Sequence, residues 1–148
     1  MSSSDSYVPL LPPGHMAEAR IKDFISKFYA ISDDPSKNEE WVDYFLPDAV
    51  VIIGDKSAKA VDEIRQLRQS MWERVKSRRH RPGKVFPASF DGANEGVEGT
   101  TIEYMIQGSA DFVMKHGEKQ EVSWAGHAIL NEVQGILKYR FYQVYLRR

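Results

Sequence analysis

The chain has 148 residues, 42% of them hydrophobic and 28% charged, which is the length and composition of one globular domain. Its 20 basic and 21 acidic residues give a net charge of −1, so it lacks the basic excess of a dedicated nucleic-acid-binding protein. The absence of cysteine excludes disulfides, thiolate catalysis and cysteine-bound zinc.

The N-terminal stretch MSSSDSYVPLLPPGHM is rich in serine and proline. It lacks the basic start and apolar core of a secretory signal, and no apolar run of the chain approaches the roughly 20 residues of a membrane-spanning helix. We therefore expect a flexible arm over residues 1–15, a single domain over residues 16–148, a cytoplasmic location and no membrane partner.

Three helices and one early strand are predicted next. Apolar residues with helical spacing from Ile21 to Tyr29 form the stripe of a first helix, and a second, shorter helix buries Trp41. The run AVVIIG, closed by Gly54, predicts a short buried strand. A third helix is expected from about Ala60 to Arg78, because apolar residues recur there every three or four positions.

After the third helix the hydrophobic period changes to two, which is typical of strands. Strands are predicted at roughly 80–90, 97–107, 110–115, 120–132 and 136–147, joined by the turns DGANEG, QGS, KHGEK and VQG. This order predicts an α+β fold in which three N-terminal helices pack on one face of a curved antiparallel sheet. Such a sheet forms a cone with a cavity at its wide end.

The last strand, LKYRFYQVYL, predicts which side chains face the cavity. Lys138 and Arg140 alternate with a second set of residues, which is therefore expected to point inward. That inward set is Leu137, Tyr139, Phe141, Gln143 and Tyr145. Tyr142 and Val144 then fall on the outer face, and an apolar outer face usually contacts a partner.

The stretch SRRHRPGKVFP concentrates positive charge around His80. Histidine suits proton transfer near neutral pH, and the flanking Arg78, Arg79 and Arg81 favour its neutral, base-competent form. Two alternatives stay open: the histidine caps the third helix, or the cluster is a solvated helix end whose cationic rim favours an anionic ligand. Neither interleaved aromatic residues nor a groove-entering helix accompanies the cluster, so no nucleic-acid partner is expected.

The remaining polar candidates are less specific. His127 in VSWAGHAIL lies mid-strand, so it is hydrogen-bonded in the core, faces the cavity or lies in a dimer interface. Glu103 either faces the cavity or lies on the polar face opposite Ile102. Capping of the first helix explains Asp33. The four histidines show no ligand spacing, so no metal site is expected.

Three stretches resemble the SnoaL-like branch of the nuclear transport factor 2-like superfamily, and more narrowly its small fungal members. They are FYAISDDPSKNEEWVDYFLPDAVVIIG, EIRQLRQSMWERVKSRRHRPGKVFP and LKYRFYQVYL. The resemblance covers about residues 18–147, and it implies a cone fold, chemistry without a cofactor and a homodimer formed through the outer face of the sheet. The superfamily also includes members without catalysis.

The resemblance carries over unevenly to single residues. Tyr29 is placed like a tyrosine near the end of the first helix, and His80 matches a histidine common in SnoaL-like pockets. The aspartate base of ketosteroid isomerase-like members falls on Ile53, and a last-strand position that is often Asp is Gln143 here. These departures argue against steroid-type isomerisation by that route.

Together, these observations predict binding of a small hydrophobic or aromatic metabolite. If the protein is an enzyme, the reaction is a cofactor-free isomerisation, cyclisation or dehydration of a polyketide- or terpenoid-like compound, with His80 and Tyr29 as catalytic residues. The alternative is a non-catalytic ligand-binding or dimerisation module. The predicted ligand-binding residues are Phe28, Trp41, Trp72, Phe86, Trp124, His127, Phe141, Gln143 and Tyr145.

Overall fold

The computed structural model describes residues 6–14, 18–90 and 101–147. Its helices and strands, in chain order, are α1 (Glu18–Ser32), α2 (Asn38–Val42), β1 (Phe45–Ile53), β2 (Lys56–Lys59), α3 (Ala60–Ser70), β3 (Val75–Ala88), β4 (Thr101–Met114), β5 (Lys119–Val133) and β6 (Ile136–Arg147). The predicted turn DGANEG lies outside the described residues. No helix in the described ranges is long and apolar enough to cross a membrane.

The six strands form one sheet in the order β2-β1-β6-β5-β4-β3. Neighbouring strands are antiparallel, except that β1 runs parallel to β6. The predicted AVVIIG strand is the second half of β1, and Gly54 ends it with a positive φ of 61°. The short strand β2, which periodicity did not predict, pairs back on β1 directly after this turn.

The core lies between the helices and the inner face of the sheet. The predicted stripe of α1 is buried, and the Phe28 ring lies 4.9 Å from Tyr139 on β6 and 5.9 Å from Trp41 on α2. These aromatic contacts seat α1 across the sheet, because offset and edge-to-face ring pairs stabilise beyond the area they bury. The predicted α+β architecture, with helices on one face of a curved sheet, is confirmed.

The third helix is shorter than predicted. It ends at Ser70, and the chain enters β3 at Val75, so the basic stretch lies within a strand instead of at a helix end. The apolar spacing up to Val75 fits either structure, but β3 pairs with β4 along almost its whole length. This ladder outweighs local helix propensity, which is a weak preference. The interpretation of His80 as a helix cap is therefore wrong.

The predicted turn QGS is also wrong, because β4 runs unbroken through it. Gly108 lies opposite Trp124 of β5, and a Cβ atom added there would come within 2.7 Å of the indole ring. Glycine is needed at this position so that the ring can cross the strand. The turns KHGEK and VQG do join β4 to β5 and β5 to β6.

A β-bulge in β6 changes which of its side chains point into the core. The register with β5 shifts where Ile129 pairs with Phe141 and Leu130 pairs with Tyr139, which leaves Arg140 as the extra residue. Tyr139 is inward as predicted, but beyond the bulge the inward residues are Tyr142 and Val144. The predicted inward facing of three residues is therefore wrong: Phe141, Gln143 and Tyr145 lie on the outer face.

Part of the N-terminal stretch lies against the domain. The backbone of Leu10 accepts a hydrogen bond from Val85 and donates one to Gly83, both in β3 and both at 2.8 Å. Tyr7 reaches the end of α1, where its hydroxyl donates to Asp33 at 2.9 Å. This segment therefore runs beside the strand that contains His80.

Candidate active site

A histidine–aspartate pair joins the end of α1 to the middle of β3. The Nδ1 atom of His80 lies 2.6 Å from Oδ1 of Asp33, and the backbone N–H of His80 donates to Oδ2 of the same carboxylate at 2.8 Å. Both side chains are mostly buried, with 14% of His80 and 7% of Asp33 exposed. Two hydrogen bonds from one residue fix both the position and the rotation of the carboxylate relative to the ring.

This arrangement sets the tautomer of the imidazole. An ionised carboxylate can only accept, so Nδ1 carries the proton that it donates to Asp33. The lone pair is then on Nε2, the other side of the ring, and Asp33 stabilises the imidazolium that forms when Nε2 takes up a proton. In this tautomer Nε2 is the ring nitrogen that can accept a hydrogen bond or a proton.

The loop that contains Asp33 is held by a buried arginine. The guanidinium of Arg68 on α3 is fully buried and donates to the backbone carbonyls of Ile31, Ser32 and Asp34 at 3.3, 2.8 and 2.9 Å. It also donates to Oδ1 of Asn38 at 2.7 Å. The carbonyls of Ile31 and Asp34 also accept backbone N–H groups, from Asp34 and Lys37, so Arg68 adds a second donor there and fixes the loop that contains Asp33.

Tyr7 supplies the third hydrogen bond to Asp33, so both carboxylate oxygens are occupied. Partial burial, followed by the charge of Asp33, raises the pKa of the Tyr7 hydroxyl to about 12. The hydroxyl therefore stays protonated, as a donor to Asp33, throughout the neutral range. The guanidinium of Arg79 lies 3.9 Å from the centre of the Tyr7 ring.

His80 borders a cavity of about 780 Å³ between the sheet and the helices. That volume is within the range of small-molecule sites. Its inner wall is apolar and aromatic, and it includes Phe28, Trp41, Leu67, Phe112, Trp124 and Tyr142. Charged side chains, among them Lys56, Glu73, Arg74 and Lys115, also border it. The cavity is therefore suited to a largely apolar ligand with some polar substituents.

Aromatic rings pack against one another beside His80. The ring of Tyr29 lies 5.2 Å from His80 and 5.1 Å from Trp124, whose Nε1 donates to the backbone carbonyl of Ser109 at 2.9 Å. The hydroxyls of Tyr29 and Tyr142 are 2.7 Å apart. Burial raises the pKa of both hydroxyls above the ordinary value of a tyrosine, so both remain protonated.

The predicted site residues fall into three groups. His80, Phe28, Trp41 and Trp124 line the cavity, and Tyr29 lies behind the wall, reaching it through Tyr142. Trp72 stacks on arginine side chains and does not line the cavity, and Phe86 is 53% exposed. The remaining four, His127, Phe141, Gln143 and Tyr145, lie on the outer face of the sheet.

The outer face has its own histidine–carboxylate pair. Nε2 of His127 lies 2.6 Å from Oε2 of Glu103, on adjacent strands, and the His127 ring packs 5.3 Å from that of Phe141. This contact confirms that Glu103 lies on the face opposite Ile102, and His127 is hydrogen-bonded outside the cavity.

Sequence reasoning missed Asp33, Tyr7 and Arg78 as parts of the site. Asp33 is 47 residues from His80 along the chain, and a helix-end aspartate has a sufficient local explanation. A strand assignment for the basic stretch would have found Arg78, because it places Arg78 and His80 on one face. Within the described ranges, no cluster of three or more histidine and carboxylate side chains is arranged to bind a metal ion.

The curved sheet with N-terminal helices is the cone fold of nuclear transport factor 2-like proteins, and solved structures of that kind are similar to this chain. One is a proposed scytalone dehydratase from Novosphingobium aromaticivorans, at 14% identity and a TM-score of 0.73 over 90% of this chain and 86% of that chain. Another is a hexachlorocyclohexane dehydrochlorinase, LinA-type3 from Novosphingobium barchaimii, at 12% identity and a TM-score of 0.72 over 89% and 87%.

A third similar structure is ActVI-ORFA from Streptomyces coelicolor, at 16% identity and a TM-score of 0.70 over 86% of this chain and 95% of that chain. No protein-family model matches the sequence, and no curated protein matches it. At these identities the similarity establishes the fold alone. The chemistry has to be argued from the site.

Proposed function

We propose that the cavity binds a small hydrophobic or aromatic molecule and that His80, oriented by Asp33, moves a proton on it. The observation that supports this most is the pair itself: a histidine whose Nδ1 is fixed by a buried carboxylate, in the wall of a cavity of about 780 Å³. A positioned general base contributes roughly 10²- to 10⁴-fold to a proton-transfer rate.

The reaction class that fits is a cofactor-free isomerisation, cyclisation or dehydration of a polyketide- or terpenoid-like compound. Each of these reactions can begin with removal of a proton from carbon or oxygen by a neutral imidazole. Two of the similar structures are named for eliminations, a dehydratase and a dehydrochlorinase. We place the chain in the SnoaL-like branch as part of the same proposal, with His80 and Tyr29 as its matching residues.

The hydroxyl pair of Tyr29 and Tyr142 provides the second polar element of the wall. Tyr142 lines the cavity, and both hydroxyls remain protonated because burial raises their pKa values. A protonated hydroxyl can donate to a substrate oxygen and polarise it. In this proposal Tyr29 acts through Tyr142, so Tyr29 is a positioning residue.

A thermal-shift screen tests ligand binding. Wild type and His80→Gln are screened against aromatic polyketides, terpenoids and steroids, and ligands that bind are then incubated with each protein and followed by mass spectrometry. A ligand at a hundredfold excess over its Kd stabilises by about 2.7 kcal/mol. We expect stabilisation of both proteins and conversion by wild type alone. Binding without conversion by wild type supports the non-catalytic alternative, and no binding at all contradicts the proposal.

We further propose a homodimer formed through the outer face of the sheet. Apolar side chains are exposed or half-buried there, among them Met105, Phe141 and Tyr145. Sedimentation velocity should give the mass of a dimer for wild type and of a monomer for Phe141→Arg. A monomeric wild type contradicts this proposal. A cytoplasmic location stays a prediction, which cell fractionation tests.

A further inference from the structure

An arginine side chain with no anionic partner among the described residues borders the cavity beside His80. Arg78 precedes His80 by two residues on β3, so both side chains project from the same face of the strand. Their partners on β4, Phe112 and Ala110, also line the cavity. Two residues of a strand span roughly 7 Å, so one small ligand can reach both side chains.

Several arginines elsewhere in the protein have acceptors. Arg20, Arg65 and Arg81 form ion pairs with carboxylates at 2.6, 2.8 and 2.5 Å. The buried Arg68 donates four hydrogen bonds to oxygen atoms. These cases show how the chain normally satisfies a guanidinium group.

Arg78 is different. Its Nη2 donates to the backbone carbonyl of Met71, but its Nε is buried and has no hydrogen-bond partner among the described residues. The guanidinium is held between two aromatic rings, 4.6 Å from the centre of Trp72 and 5.1 Å from that of Phe112. Rings fix the plane of the group, yet they offer no oxygen to its N–H donors.

The nearby carboxylate of Asp33 does not supply the missing acceptor. Its charge acts on Arg78, but no hydrogen bond or ion pair joins it to the guanidinium, and its oxygens accept from His80 and Tyr7. Burial lowers the pKa of Arg78 to about 10, so the group remains charged at neutral pH. A buried charge without an ion-pair partner is costly, and an anionic oxygen on a ligand would remove much of that cost.

We propose that Arg78 binds a negatively charged oxygen of the substrate, which makes the substrate an aromatic or polycyclic compound with a carboxylate or an enolisable carbonyl group. This inference rests on the proposed function of the cavity. The negative charge has two possible sources. It is present on the free ligand, as in a carboxylate, or it develops on a carbonyl oxygen during the reaction.

In the second case the step balances without any further reactant. Nε2 of His80 takes a proton from the carbon next to the carbonyl, and the C–H electron pair becomes a C=C bond. The carbonyl π electrons move to the oxygen, which becomes an enolate beside Arg78. The imidazolium, stabilised by Asp33, then returns the proton to the same carbon or to a conjugated one, and return to the conjugated carbon is an isomerisation.

The test uses separate probes for the two possible sources of the negative charge. Naphthoate and the neutral naphthyl methanol are titrated by calorimetry, and deuterium incorporation into β-tetralone is followed by NMR in D₂O. The proteins are wild type, Arg78→Met, Arg78→Lys, His80→Gln and the matched control Arg81→Met. Arg81 lies on the same strand but does not line the cavity, since it pairs with Asp111. Arg78→Lys keeps the charge if Arg78→Met does not fold.

If the free ligand carries the negative charge, we expect naphthoate to bind about 10- to 100-fold more tightly than naphthyl methanol. This ratio corresponds to the free energy of a charge-assisted hydrogen bond. The preference should persist in Arg81→Met and His80→Gln and disappear in Arg78→Met. If the negative charge develops during the reaction, both probes bind with similar affinity. The rate of deuterium exchange into β-tetralone then falls about 10²- to 10³-fold in Arg78→Met. Arg78→Lys should be weakened in either assay, because a point charge replaces a planar fork.

The inference is overturned if neither the naphthoate preference nor the exchange rate depends on Arg78. A failure of the proposed function has a different signature. In that case wild type and His80→Gln prefer naphthoate and Arg78→Met does not, while exchange into β-tetralone is unchanged by His80→Gln.

Discussion

Two histidine–carboxylate pairs in the described part of the chain share a 2.6 Å contact but differ in their surroundings. The inner pair, His80–Asp33, uses Nδ1, and His80 borders the cavity. The outer pair, His127–Glu103, uses Nε2 and lies on the opposite face of the sheet. Asp33 accepts three hydrogen bonds, whereas one is found for Glu103 among the described residues. A short contact alone therefore does not define a catalytic pair, because its supports and its access to a cavity matter equally.

The largest difference between the pairs should appear when each carboxylate becomes an amide. In Asp33→Asn the amide group can donate to the ring, which then adopts the tautomer with its proton on Nε2 and cannot act as a base. We expect the turnover rate to fall about 10³- to 10⁴-fold. The matched change Glu103→Gln should alter it less than about twofold. Equal losses in the two variants, measured as initial rates, would contradict the distinction between the pairs.

The contribution of Arg68 to the loop that contains Asp33 can be measured as a change in stability. Arg68→Met removes the side-chain donor to three backbone carbonyls near the end of α1, of which that of Ser32 is buried. We expect the free energy of unfolding in urea to fall by about 3 kcal/mol or more. The control Arg65→Met removes an exposed ion pair with Glu39 and should cost under about 1 kcal/mol. Comparable losses in both variants would mean that Arg68 does not hold the loop.

The smallest effect concerns the third bond to Asp33, and it depends on pH. The pKa of Tyr7 is raised from 10.0 to about 12 by burial and then by Asp33, so between these values the folded state keeps a proton that the unfolded state loses. The stability contributed by this shift is fully present below pH 10 and is lost as the pH rises through 12.

We therefore expect the stability of wild type to fall more steeply than that of Tyr7→Phe between pH 10 and pH 12. Urea unfolding at several alkaline pH values measures this difference. Tyr145→Phe, at an exposed position on the outer face, is the control and should follow wild type. If Tyr7→Phe also runs parallel to wild type, then Tyr7 does not support the carboxylate in solution.

The sequence was sufficient to predict the class of fold. The spacing of apolar residues changes along the chain from a helical period to strand alternation, and this change can be read locally. The sequence also located His80, since a histidine among arginines is visible without a structure. It was insufficient for Asp33, whose role depends on a contact across 47 residues. The facing of Gln143 was wrong for a similar reason: the bulge at Arg140 depends on the pairing of β5 with β6, and alternation counted along one strand does not reveal it.

Proton transfer distinguishes the two pairs most directly, because we assign it to the inner pair and not to the outer one. Deuterium incorporation from D₂O into β-tetralone measures it, with wild type, His80→Gln and His127→Gln under identical conditions. We expect wild-type exchange above the rate without protein, a loss of about 10²- to 10⁴-fold of that acceleration in His80→Gln, and a rate for His127→Gln within about twofold of wild type. Undiminished exchange in His80→Gln would contradict this assignment and leave the cavity as a binding site without this base.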